Sequence, residues 1–82
     1  MTKENLQTLI DMMERNVSME EKLLQYHQAE VARFKAKREA EKMPSDKILY
    51  NAIKEDILQT QQHIQNQRNS IAVYRKMIQS MP

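Results

Sequence analysis

His27, Glu30 and His63 are the residues of this chain whose types come nearest to a metal-binding set. Two imidazoles and a carboxylate suit zinc or non-haem iron, because each offers a lone pair to a divalent cation. The Glu-x-x-His spacing that di-iron helical bundles use is missing. A solvated His63 beside Glu30, with His27 covering an apolar neighbour, accounts for the same residues. No cofactor is expected, and a metal-binding bundle is the third reading of function.

A second group is basic. Between Arg33 and Lys54 lie seven cations, among them Lys35, Lys37, Arg38, Lys42 and Lys47, interleaved with Glu39, Glu41 and Asp46. Such a cluster can grip phosphates. Proteins that hold single strands, however, add aromatic platforms for the bases, and the run from Lys35 to Lys47 has only Phe34 beside it, at a position the heptad turns inward. A nucleic-acid-binding hairpin using this basic tip is the alternative function. The whole chain is nearly balanced, with 13 basic and 11 acidic side chains and a net charge of +2, too even to argue for nucleic acid by itself.

Catalysis has little to work with. There is no glycine for a phosphate-cradling loop and no cysteine nucleophile, and no nucleophile stands beside a base. The chain is expected not to be an enzyme and to take no small-molecule substrate. The lack of cysteine also removes disulfides and thiolate zinc sites, and it suits a reducing compartment. Charges within the first four residues leave no signal-peptide core, and no apolar run approaches the ~18 residues of a membrane span. The expectation is a cytoplasmic protein without membrane contact.

What must position these side chains is helix. The chain has 82 residues with no glycine and two prolines, and it is 40 % hydrophobic and 29 % charged. Strands and tight turns draw on residues that tolerate positive φ, while Gln, Glu, Lys, Met and Ile favour helix. Pro44 is the one internal breaker, and it also biases Met43 away from helix. Ser45 or Asp46 is placed to cap a second helix. The sequence therefore predicts a single domain over 1–82, with helix 1 over about 3–42, a turn at 43–45 and helix 2 over about 46–80.

The apolar spacing is stricter than simple amphipathicity. A 4-3 alternation runs Leu6, Ile10, Met13, Val17, Glu20, Leu24, His27, Val31, Phe34, Arg38, and then Tyr50, Ile53, Ile57, Thr60, Ile64, Gln67, Ile71, Tyr74, Ile78, Met81. Of these 20 positions 15 are apolar or Tyr, where the 40 % average gives about 8. A sustained 3.5-residue repeat is the coiled-coil pattern. Two equal helices with a short connection fold back on each other, so the expected fold is all-α, an antiparallel two-helix coiled-coil hairpin.

Flanking charges select a register. Setting Phe34 opposite Ile57, Val31 opposite Thr60, His27 opposite Ile64, Leu24 opposite Gln67 and Val17 opposite Tyr74 brings Glu14 to Arg75, Glu21 to Arg68 and Lys37 to Asp56. It also gathers His27, Glu30 and His63 in one layer. The pairing one heptad away keeps fewer attractions and sets Glu30 beside Asp56. Exposed pairs contribute only a few tenths of a kcal/mol, about enough to bias a register.

A second apolar stripe remains. Leu9, Met12, Met19, Leu23 and Tyr26 fall on the g and c positions of helix 1, beside the seam but turned away from helix 2. Helix 2 answers weakly with Leu49, Ala52, Val73 and Met77. Regular exposed apolar stripes mark interfaces, and methionine suits an adaptable one. The predicted function is a helical protein–protein interaction module, regulatory or scaffolding, that binds a protein partner or self-associates through this stripe. A homodimer is expected, with two copies of helix 1 antiparallel about a twofold near Asn16 and Val17. Leu9 then approaches Leu23, Met12 approaches Tyr26, and the hairpins form a four-helix bundle.

Overall fold

The computed structural model describes residues 2–82. Helix α1 spans Lys3–Ala36 and helix α2 spans Pro44–Gln79, with a short 3-10 turn at Glu39–Glu41 between them. The helices pack against each other in an antiparallel hairpin, a rod of 65 × 15 × 14 Å. No helix among the described residues is long and apolar enough to cross a membrane.

Thr2 starts α1, its hydroxyl accepting from the Asn5 N–H at 3.1 Å, one of the orphan donors of the first turn. Pro44 takes the first position of α2, where its fixed φ is already helical and its missing N–H costs nothing. Asp46, three residues after the cap residue Met43, reaches back to the Met43 N–H at 3.0 Å. The carboxylate thus caps from inside the helix.

Helix α1 ends six residues earlier than its periodicity predicts. With α2 starting at Pro44, a first helix running to Lys42 would leave Met43 alone to reverse the chain. One residue spans at most about 3.6 Å, against the 8–10 Å between packed helix axes. Seven residues, Lys37 to Met43, make the reversal instead. No described residue has positive φ; Lys37, Arg38, Lys42 and Met43 are all extended. The segment from Lys37 to Met43 has neither glycine nor asparagine, the residues that most readily close a helix tightly in the left-handed conformation, so the turn is long.

This longer turn moves the register. Phe34 stacks on Tyr50, ring centroids 4.4 Å apart and planes 20° from parallel, rather than meeting Ile57. Glu20 meets His63 and Gln67. The pairing is thus the one a heptad away from that favoured by the flanking charges. Lys37 accordingly meets Asp46 at 3.4 Å and not Asp56. The pairs Arg75–Glu14 and Arg68–Glu21 form nonetheless. Side chains lean toward the N-terminus of their own helix, so in antiparallel helices Glu14 and Arg75 lean toward each other and bridge the offset.

The core is thin and lies toward the open end. Leu6 (1 % exposed) and Ile10 (0 %) are fully enclosed, followed by Val17, Ile64 and Ile71, with Met13, Leu24, Tyr74 and Ile78 packed around Ile10, Val17, Ile64 and Ile71. Each buried aliphatic contributes about 1.5–3 kcal/mol. Toward the turn Val31, Phe34, Tyr50, Ile53 and Ile57 are only half-buried. The firm part of the rod is the half that carries residues 6–24 of α1.

Candidate functional site

The two flanks of the seam differ in chemistry. In an antiparallel coiled coil the e positions of the helices share one flank and the g positions the other. The e flank holds Glu14 with Arg75 and Glu21 with Arg68. The g flank holds the second stripe. Leu23 lines a shallow groove with Glu20, Gln59, Thr60 and His63, which puts it on the side opposite the ion pairs. Leu9 is half-buried, while Met12, Met19 (67 %), Leu23 (48 %) and Tyr26 (59 %) are exposed. By heptad position Val73 and Met77 lie on this same flank near the open end; both are exposed, and they line a further apolar groove with Met81. Leu49 is exposed on the g side near the turn. The stripe thus rests on the best-packed part of the hairpin.

The structure does not bring the candidate metal ligands together. In the observed register His63 comes level with Glu20, and its Nδ1 sits 2.9 Å from Glu20 Oε1. Glu30 pairs with Arg33 on its own helix. His27 lies against Tyr26, ring centroids 5.9 Å apart, with Nδ1 buried and unpartnered. Among the described residues no group of three or more His, Cys, Asp or Glu could hold a metal ion. The layer expected to join these three residues depended on the register that the long turn displaces.

What the seam holds at its centre is a polar cluster. Gln67 Nε2 donates to Glu20 Oε1 at 3.2 Å and lies 3.2 Å from His63 Nε2. Glu20 Oε2 and Gln67 Oε1 are buried without a partner. Both residues stand at knob positions of the repeat, where polar side chains cost stability and restrict pairing.

At the tip the cations are largely engaged by acids. Lys37 pairs with Asp46, Lys42 and Lys47 both pair with Glu39 at 3.5 and 3.3 Å, and Arg38 lies 3.9 Å from Glu41. Lys35 is exposed and makes no ion pair among the described residues. Lys42 also sits over the Phe34 ring at 4.8 Å, and Lys54 over Tyr50 at 5.1 Å. The Lys47 and Lys42 ammonium groups hold the Glu39 carboxyl below its ordinary range. The Met43 N–H, aided by Lys37 and opposed by partial desolvation, does the same for Asp46. The aromatic pair is stacked on itself, so it offers no free platform to a base.

Two features escape the heptad pattern. Ile48 and Leu58 are more exposed than most of the stripe, yet they occupy outer positions with no periodic signal. The Phe34–Tyr50 stack was within reach of the other register, the one the flanking charges disfavour, which sets the two rings face to face. Comparison of the chain with protein-family models, with curated proteins and with solved structures finds no match.

Proposed function

We propose that this chain is a helical-hairpin interaction module that acts in the cytoplasm by binding a protein partner, in a regulatory or scaffolding role, and not by catalysis. The observation that carries the reading is the asymmetry of the two flanks. One is laced by the Glu14–Arg75 and Glu21–Arg68 pairs, and the other presents Met12, Met19, Leu23 and Tyr26 to solvent. A contiguous exposed stripe is costly to keep wet and favours a partner surface. Its place over Ile10 and Val17 supports the reading, since a face on a firm scaffold loses little entropy on binding. The paired cations of the tip give the nucleic-acid alternative less support, because each phosphate contact must first displace an internal acid.

The test is site-specific photocrosslinking in the cells the protein comes from. A benzophenone side chain at Met19 is expected to give a discrete covalent adduct, lost in the Leu23→Arg background. The same probe at Gln62, on the outer face of α2, is expected to give none. Absence of an adduct at Met19 would sink the reading.

A further inference from the structure

We infer that the occupant of this face is a second copy of the chain, docked with the two α1 helices antiparallel; the inference rests on the interaction reading above and names its partner. Residues 9, 12, 16, 19, 23 and 26 of α1 succeed one another at steps of 3, 4, 3, 4 and 3. That series is the same read in either direction. Two antiparallel copies related by a twofold midway between Val17 and Ser18 therefore set Leu9 against Tyr26 of the second copy, Met12 against its Leu23, and Asn16 against its Met19. Each layer occurs twice, as an isologous contact demands. An axis near Asn16 and Val17 does not pair the whole set.

The face has the composition of an interface core. None of the six positions carries a charge, and charge depletion at the centre is what separates interface cores from ordinary surface. Asn16 is the one polar member, and beside the twofold it faces Met19 of the second copy. A single polar knob is the usual device for holding one register and one stoichiometry. The observed pairing of α1 with α2 also brings Val73 and Met77 level with the start of the stripe. In the dimer they would flank the two outer ends, making a four-helix bundle out of two hairpins.

Area agrees. The chain exposes 6379 Å², whereas a compact monomer of 9.8 kDa exposes about 5,200 Å². The excess of roughly 1,200 Å² is more than the ~800 Å² each partner gives to a standard interface. A rod 14–15 Å thick can bury that much and still be no more enclosed than a typical small protein.

The experiment uses the purified full chain. Light scattering is expected to give twice the 9.8 kDa chain mass for the native protein. Leu23→Arg and Met19→Glu are expected to give the chain mass with helical circular dichroism retained; Met19→Glu serves if Leu23→Arg does not fold. The chain has no native cysteine, so Leu9→Cys and Tyr26→Cys report orientation. Mixed and oxidised, the two single variants should yield a disulfide-linked dimer that neither forms alone. A native chain that runs as a monomer overturns the second-copy assignment. If the Met19 photoprobe still gives an adduct, the interaction reading survives with a different partner. Cross-linking by Leu9→Cys alone overturns the antiparallel arrangement.

Discussion

Gln67 donates its side-chain N–H to the Glu20 carboxylate at 3.2 Å across the seam, and both Glu20 Oε2 and the Gln67 carbonyl oxygen are left buried and unpaired. A half-satisfied polar pair costs stability, because two acceptors lose water without replacement. Removing both groups should therefore stabilise the hairpin. The double variant Glu20→Leu, Gln67→Leu is expected to unfold about 1–3 kcal/mol harder than the native chain. Gln67→Leu alone is expected to lose about 1 kcal/mol, since Glu20 keeps its charge and loses a donor. Chemical denaturation checks both; a double variant less stable than the single one would show that the pair supports the fold.

The uneven core predicts an uneven mutational response. Ile64 is buried among Ile10, Val17 and Ile71, and Ile64→Ala is expected to cost about 2–4 kcal/mol. Ile53 is half-buried in the tip half, and Ile53→Ala is expected to cost roughly half as much. Thermal melts followed by circular dichroism decide it. Equal losses would mean the packing is uniform along the rod.

Register can be read directly from the single phenylalanine. Nuclear Overhauser contacts from the Phe34 ring are expected to the Tyr50 ring, whose centroid is 4.4 Å away, and not to the Ile57 methyls. Contacts to Ile57 instead would restore the register that the flanking charges favour.

The tip should respond to acid through Asp46. Its carboxyl is held below the ordinary 3.8 by the Met43 N–H and by Lys37. A depressed folded pKa means the capping stabilisation is complete above the unfolded value and is lost as pH falls through the folded one. The Met43 amide resonance is expected to shift with a midpoint below 3.8, and Asp46→Asn to abolish the shift. A midpoint at or above the ordinary value would contradict the cap.

Two helices, their break near Pro44 and the inner face of each were legible in the residues alone. They rest on local facts: absent glycine, one internal proline, and a 4-3 apolar repeat that only a helix pair can bury. The second stripe was legible too, because positions g and c keep their side of a helix whatever the partner helix does. The register, and everything that depends on it, came only with the packed hairpin. A heptad repeat is periodic, so sliding α2 by seven residues returns apolar against apolar with little change in energy, and surface charges are too weak to choose. The choice falls to the turn, where Pro44 at the first position of α2 and the lack of any left-handed residue require seven residues to reverse the chain. That requirement ends α1 at Ala36, carries Phe34 to Tyr50, and parts His63 from Glu30.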